Sequence, residues 1–383
     1  MTRNIKICTR CIYDETIKGI EFDIQGVCNY CHQIDKLALE YKTGKPEGIA
    51  ELEKIIAQIK IDGKGKKYDC VVGVSGGTDS SFLLAKAIEW GLRPLAAHYD
   101  NTWNTSISTE NIRKITSKLN VDLFTIVVDN KESDDIFRSF FKSGVPEFDC
   151  PTDIALAETL YRASSKYGVQ YILEGHSFIT EGVSPMSGNY FDGKYIEDIH
   201  KKYGTLKMRT FPNMTFYNFI KWTVFKRIKK IRPLWYIDYN KEHARAFLEK
   251  EFDWKYYGGH HMENRSSNFG LGVYLPQKFN IDNRKWALAA SARNGSLSRE
   301  EALSIYNSPI EPNPELVAYV KKRLALTDEE YDNIMNGEKR SFRDFKTYKK
   351  RFETLRPLFF MLAKANLVPM SFYLKYCFPF KSS

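Results

Sequence analysis

Asp69–Leu84 reads DCVVGVSGGTDSSFLL. A short apolar run enters two adjacent glycines, passes a Thr-Asp-Ser-Ser cluster and resumes as apolar residues at helical spacing. The first part predicts a buried strand and the last a helix. The turn between them is not a Walker A loop, because no Gly-Lys-Ser/Thr follows. Nor is it GxGxxG, because Gly76 and Gly77 are adjacent. Glycines let a backbone approach a ligand closely, and Asp79–Ser81 open a helix whose unpaired amides attract an anion. Ser75, Thr78, Ser80 and Ser81 add hydroxyls, and Asp79 is a carboxylate of the type that holds Mg²⁺. An ordinary capped strand-to-helix turn uses the same ingredients. Residue chemistry alone leaves both readings open.

Outward from this stretch the pattern alternates. DCVVGVS, RPLAAHYD, VDLFTIVVD and VQYILEG read as strands, with helices predicted at Ser80–Trp90, Thr109–Leu119 and Asp153–Tyr167. Short apolar strands alternating with helices predict an α/β fold with a doubly wound parallel sheet. Upstream, Pro46–Lys60 reads as a helix followed by a Gly/Lys linker. Beyond about residue 180 the strand signal fades and aromatic and basic residues take over. Helices are expected there at Lys241–Glu251, Ser298–Tyr306 and Glu315–Arg323. The resulting division is a cysteine-bearing segment 1–42, a helix and linker 43–67, and a nucleotide-binding domain 68–200. A basic, aromatic region for substrate and partner spans 201–310, and a helical region spans 311–383. At 383 residues and 43% hydrophobic, the chain has room for two or three such units.

Cys8-x2-Cys11 and Cys28-x2-Cys31 are separated by sixteen residues, the spacing of a four-thiolate zinc ribbon. Gly26 suits the turn of the second knuckle. Two disulfides or free thiols are the alternative. Four thiolates would complete the coordination of Zn²⁺, so the metal expected here is structural. Close cysteine pairs, no apolar run of membrane-spanning length and no secretory stretch in MTRNIKICTRC argue for a reducing cytoplasm.

The net charge of +10 is local: ten Lys/Arg and no Asp/Glu lie between Lys201 and Arg232. Such a block suits an anionic partner, whether nucleic acid, phosphorylated substrate or membrane surface. Within it, YNFIKWTVFKRIKKI (217–231) places Tyr217, Ile220, Val224, Ile228 and Ile231 on one helical face. Lys226, Arg227, Lys229 and Lys230 fall elsewhere. A helix of this kind either covers a core or lies peripherally on an anionic membrane.

SGGTDS resembles the PP-loop motif, SGGxDS, of ATP pyrophosphatases. The resemblance implies a Rossmann-like domain that splits ATP to AMP and pyrophosphate. It places ATP, with Mg²⁺, on Val74, Ser75, Gly76, Gly77, Thr78, Asp79 and Ser80, and near Asp100, Asn101 and Gly175. It covers more of the chain. CTRCIYDETIKGIEFDIQGVCNYC, GVPEFDCPTDIA, EGHSFITEG and IHKKYG resemble the N-acetyl sugar amidotransferases. The block YYGGHHMENRSSNFGLGVYLPQKFNIDNRKWALAASARNGSLSREEAL does so most specifically.

That family resemblance implies conversion of a sugar's acetamido group to an acetamidino group in bacterial lipopolysaccharide, surface-polysaccharide or nonulosonic acid synthesis. The acceptor would be nucleotide-linked. Ammonia would come from a separate glutaminase with a cyclase-like subunit, and no nucleic acid would take part. Asp79, Ser75, Glu174 and His176 become the catalytic candidates. Thr180, Glu181, Tyr257, His260, His261, Lys278 and Arg284 become the substrate candidates. His260 stands where that family commonly has lysine and Ser177 where it has asparagine, which bears on the acceptor sugar more than on the reaction.

Two other functions compete. Some tRNA-thiolating PP-loop enzymes also begin with a zinc ribbon, but they pair reactive cysteines near the nucleotide. Here Cys70, Cys150 and Cys377 are scattered, and Thr78 replaces a typical lysine. A zinc-ribbon RNA-binding module would leave SGGTDS unexplained.

Overall fold

The computed structural model describes residues 5–183, 190–259, 262–311, 313–365 and 367–379. Five strands form one parallel sheet: β1 (Cys70–Gly73), β2 (Pro94–Asp100), β3 (Leu123–Val127), β4 (Tyr171–Leu173) and β5 (Lys229–Ile231). Their order is β3-β2-β1-β4-β5. The chain winds one way from β1 to β3 and the other way through β4 and β5, so the doubly wound expectation holds. The order reverses between β1 and β4, where such sheets open a crevice beyond the strands' C-terminal ends.

Helices fill both faces. In chain order the first are α1 (Asn29–Tyr41), α2 (Pro46–Asp62), α3 (Thr78–Glu89), α4 (Ser106–Lys118), α5 (Asn130–Ser143) and α6 (Cys150–Lys166). Next come α7 (Phe178–Glu181), α8 (Gly193–Tyr203), α9 (Phe216–Ile220), α10 (Lys241–Phe252), α11 (Arg265–Phe269) and α12 (Arg284–Asn294). The last are α13 (Arg299–Asn307), α14 (Pro314–Arg323), α15 (Asp328–Asn336), α16 (Lys349–Thr354), α17 (Arg356–Lys364) and α18 (Met370–Tyr376). Strand periodicity sorts the core. Cys70, Val72 and Val74 face a layer built from α2, α3, α4 and α10, whereas Val71, Leu95, Ala97 and Ile172 face Leu160 and Ala163 of α6. β1, β2 and β4 are buried on both faces and therefore read as continuous apolar runs, whereas β3 at the sheet edge is half exposed.

Two expectations are corrected. The strand signal does not end near residue 180, because β5 pairs in parallel with β4. The segment 217–231 is not one basic amphipathic helix. It starts as α9, widens to a π-wound turn over Lys221–Phe225 and ends in β5. The wider turn shifts the side-chain phase, so Tyr217 is 70% exposed while Trp222 and Ile228 are buried. Strand pairing then outweighs the helical pattern over Lys229–Ile231, since the edge of β4 offers hydrogen bonds that an isolated helix end does not. Among the described residues, no helix is long and apolar enough to cross a membrane.

The N-terminal segment closes through two bridges, Ile7 with Asp14 and Phe22 with Cys28. Its hydrophobic side packs on Leu288, Ala289 and Ala302 of α12 and α13.

Candidate active site

The loop after β1 is shaped by its glycines. Gly76 has φ +79°, and a Cβ there would lie 2.3 Å from the Ser108 carbonyl oxygen, so only glycine fits. Its own carbonyl is tied back by Trp254 Nε1 at 3.1 Å and Asn111 Nδ2 at 3.3 Å. The Gly77 amide donates to Ser75 Oγ and the Ser75 amide donates to Ser80 Oγ, at 3.3 and 3.2 Å. α3 begins at Thr78 with Gly77 as its N-cap and no side-chain cap. Its first-turn amides and positive dipole end are therefore left for an anion at the mouth of the crevice.

Asp79 lies in that first turn. Its carboxylate accepts from Tyr239 Oη and, at 2.7 Å, from Lys241 Nζ. Burial would raise its pKa, but the Lys241 charge and these hydrogen bonds hold it below the ordinary carboxylate range. Gly175, just beyond β4, packs so closely on α3 that a Cβ would lie 3.1 Å from the Asp79 carbonyl oxygen.

Glu174 accepts from Lys230 Nζ at 2.6 Å and Arg232 Nε at 3.2 Å. Burial would raise this carboxylate, yet the two cations win and hold its pKa at about 2. Two residues on, Trp235 Nε1 donates to His176 Nδ1 at 3.3 Å. An indole can only donate, so Nδ1 is the accepting nitrogen and Nε2 carries the proton, 3.5 Å from Glu181 Oε2. Burial, then the neighbouring Arg232, lowers the His176 pKa to about 4, leaving it neutral near pH 7.

The crevice thus brings together Ser75, Gly76, Gly77, Thr78, Asp79, Ser80, Glu174, Gly175, His176 and Glu181, with Thr180 on the same short helix α7. Tyr257 joins them, its hydroxyl 3.1 Å from where a Gly77 Cβ would stand. Val74 follows β1, its carbonyl accepting from His98 Nδ1 at 2.8 Å. Asp100 and Asn101 close the neighbouring end of β2: Asp100 accepts from the Thr102 amide, and Asn101 accepts from Asn264 Nδ2 at 2.8 Å.

Two substrate candidates are engaged in contacts with backbone carbonyls. Lys278 is buried and donates to the carbonyls of Ile334 and Gly337 at 2.6 and 2.8 Å, capping the C-terminal end of α15. Arg284 pairs with Asp282 at 2.8 Å and donates to the carbonyls of Tyr306 and Ser308 past α13. His260 and His261 lie outside the described residues. Sequence reasoning missed Tyr239, Lys241, Lys230, Arg232, Asn111 and Trp254. Each reaches the site across a long stretch of chain, so no local motif marks it.

The four cysteines come together as expected from their spacing. All four Sγ atoms lie within 4.8 Å of one another, with Cys8–Cys31, Cys11–Cys28 and Cys28–Cys31 at 3.9, 3.8 and 3.6 Å. A tetrahedron with Zn–S bonds near 2.3 Å has sulfur–sulfur edges of about 3.8 Å. The donor set therefore fits Zn²⁺, and the separations exclude disulfides. The Cys28 and Arg10 amides point at Cys8 Sγ, and Arg293 Nε donates to Cys31 Sγ at 3.4 Å.

The parallel sheet, ordered β3-β2-β1-β4-β5, carries SGGTDS at its reversal point, the placement that the resemblance to the PP-loop ATP pyrophosphatases implies. Residues 263–358 match the family described as LPS biosynthesis protein WbpG-like, C-terminal domain. Over 171 residues, 44% of this chain, the sequence is 28% identical to the uncharacterized protein MJ1599 of Methanocaldococcus jannaschii, and the match spans 58% of that protein. Similar solved structures include NMN synthetase from Francisella tularensis (12% identity, 74% of this chain, 95% of that chain, TM-score 0.31). Another is NH3-dependent NAD synthetase from Campylobacter jejuni (15% identity, 80% and 98%, TM-score 0.30). A third is U34-tRNA thiolase NcsA from Methanococcus maripaludis (12% identity, 84% and 99%, TM-score 0.27). The WbpG-like match, joined to the PP loop, supports the resemblance to the sugar amidotransferases.

Proposed function

We propose that the protein is an ATP-dependent amidotransferase of surface-glycan synthesis. It converts the acetamido group of an N-acetylated, nucleotide-linked sugar to an acetamidino group. The observation that carries this is that the start of the WbpG-like segment is built into the loop's surroundings. The Glu263 carbonyl accepts from the Thr105 amide and Ser108 Oγ, beneath Gly76, and Asn264 joins Asn101 and Asn104.

An amide carbon is a poor electrophile because nitrogen donates into the carbonyl. Attack of the acetamido oxygen on the α-phosphorus of ATP forms an adenylated imidate and expels pyrophosphate. Ammonia then adds to the imidate carbon, AMP leaves with the oxygen, and a proton is lost to give the amidine. The α3 amides, Ser75 and Ser80 suit the departing pyrophosphate, and charge there is stabilised without reorganisation. A Mg²⁺ carried by ATP would be held by phosphate oxygens and Asp79, the usual sharing for this ion. In this reading Glu181, 3.5 Å from His176, would take the proton released when ammonia attacks. Cys8, Cys11, Cys28 and Cys31 would hold a structural Zn²⁺, which would staple the N-terminal segment that packs on α12 and α13.

Free ammonia is scarce at neutral pH, so a separate glutaminase with a cyclase-like subunit would deliver it. The three remaining cysteines disfavour tRNA thiolation. Cys70, Cys150 and Cys377 are fully buried, and burial raises each thiol, Cys377 to about 11.

The test incubates the protein with ATP, Mg²⁺, ammonium at elevated pH and UDP-linked N-acetyl sugars. AMP, pyrophosphate and a sugar whose mass changes by exchange of O for NH are expected. ADP as the stoichiometric product, or sulfur incorporation into tRNA, overturns the proposal.

A further inference from the structure

The C-terminal helices are apolar on both sides. α17 turns Phe359 inward, into a cluster with Phe352 of α16, Phe372 of α18 and Phe219 of α9. Helical spacing then sets Leu358, Phe360 and Met361 on the outward arc, where they are 40, 42 and 61% exposed. The apolar surface continues sideways. The Phe360 ring lies 5.4 Å from Tyr373, and Tyr373 lies 5.2 Å from Phe378. On α18, Met370 and Leu374 are exposed as well. Three linked rings thus join the outer faces of α17 and α18. A contiguous exposed apolar patch of this kind marks an interaction surface.

The charge around the patch has one sign. Residues 345–378 carry seven Lys/Arg and a single acidic residue, Glu353, which faces Lys349 at 3.4 Å. Arg356 and Lys364 stand at the two ends of α17, so cations bracket its outward face. The Arg356 guanidinium lies 5.3 Å over the Phe378 ring, and Lys364 Nζ lies 5.6 Å over Phe360. Neither pairs with a carboxylate among the described residues. Their aliphatic stems therefore lie along the apolar surface while their charges can reach outward to an anion. Lysine is depleted at the core of protein interfaces, whereas aromatic and aliphatic side chains rimmed by Lys and Arg suit an anionic bilayer. At nine residues α17 is too short to span a bilayer, so the geometry is that of a helix lying in its plane. The contact expected over 217–231 therefore has its apolar counterpart on the helices that α9 packs against.

We propose that the outward face of α17 and α18 docks on an anionic lipid bilayer. Leu358, Phe360, Met361 and Leu374 enter the acyl boundary, and Arg356 and Lys364 meet the headgroup phosphates. The proposal is independent of the amidotransferase reading. Full-length wild type is sedimented with vesicles of phosphatidylethanolamine and phosphatidylglycerol, and with vesicles of phosphatidylcholine alone. Two double variants are treated in the same way: Phe360→Ser with Met361→Ser, and Arg356→Glu with Lys364→Glu. Wild type should bind the anionic vesicles about tenfold or more tightly than the neutral ones, and added salt should narrow the difference. Each double variant should bind the anionic vesicles about tenfold or more weakly, one through lost apolar area and the other through reversed charge. All four side chains are exposed, so melting followed by circular dichroism should match wild type. A third variant, Phe360→Leu with Met361→Leu, keeps the apolar area and should keep the binding. No binding by wild type, equal affinity for both vesicle types, or wild-type affinity in the Phe360→Ser, Met361→Ser variant overturns the proposal. A wild type that self-associates, ignores vesicles and becomes monomeric in that variant overturns it in favour of a second copy of this chain.

Discussion

Lys241 Nζ lies 2.7 Å from Asp79 Oδ2, across 162 residues of chain. The pair sits at the helix end where phosphate charge would arrive. Lys241 neutralises a carboxylate that would otherwise repel that charge, and burial makes the pairing strong. Replacing Lys241 by Met should therefore leave Asp79 buried and uncompensated, and its pKa should climb. Turnover should fall about a hundredfold, comparable to loss of one preorganised charge stabiliser. The acid limb of the kcat/KM profile should also move to higher pH. An unchanged limb would separate the two residues functionally.

Gly76 and Gly175 are steric requirements of different kinds. Alanine at Gly76 needs a left-handed backbone and meets the Ser108 carbonyl, so a loss of about 1–2 kcal/mol or more is expected in chemical denaturation. Alanine at Gly175 meets milder crowding, with the Asp79 carbonyl at 3.1 Å and the Ser80 amide nitrogen at 3.2 Å. The chain should stay folded while KM for ATP rises several-fold. Equal stability of Gly76→Ala and wild type would contradict the loop geometry.

Stability should fall on acidification in two separate windows. His176 has its folded pKa lowered to about 4. The unfolded chain therefore binds the extra proton first, and stability is lost as pH drops from about 6.5 to about 4. The imidazole keeps 40% exposure, so water screens the effect and the slope should be shallow. Glu174, held at about 2, loses its contribution lower, as pH drops from about 4.3 toward 2. Melting temperatures of His176→Gln and Glu174→Gln against pH should each flatten one window.

The cysteine cluster predicts about one Zn²⁺ per chain. Cys28→Ser should release it. Because Arg293 donates to Cys31 and Asn294 Nδ2 donates to the Ile179 carbonyl, α12 links the cluster to α7. Metal loss should therefore raise hydrogen exchange at Phe178–Glu181 as well as in the N-terminal segment. Exchange confined to the N-terminal segment would show that the link carries no order.

Replacing Cys70, Cys150 and Cys377 together by Ala should leave AMP formation within a few-fold of wild type, since these thiols only fill space at a cost of about 1 kcal/mol each. Measured turnover that disappears with folding intact would revive the thiolation chemistry.

Much of this protein is written in short-range pattern. β1, β2 and β4 read as apolar runs because strands covered on both faces need no alternation, whereas the edge strand β3 was legible from its β-branched and aromatic residues although it is half exposed. The helices expected from the sequence lie within a few residues of α2, α3, α4, α6, α10, α13 and α14, whereas others, such as α5 and α12, were not anticipated. SGGTDS and the two Cys-x2-Cys knuckles were legible because each completes its geometry within a few residues. The partners of those motifs were not. Lys241 and Tyr239 reach Asp79, Trp254 reaches Gly76, and Lys230 and Arg232 reach Glu174 only after sheet order and helix packing bring distant segments together. In the sequence Lys230 and Arg232 read as part of a basic block, and Lys278 and Arg284 as substrate candidates. The Glu174 carboxylate holds Lys230 and Arg232, and backbone carbonyls hold Lys278 and Arg284. β5 shows the same limit: its helical pattern is real, but the open edge of β4, formed by residues almost sixty positions earlier, supplies the hydrogen bonds that make it a strand.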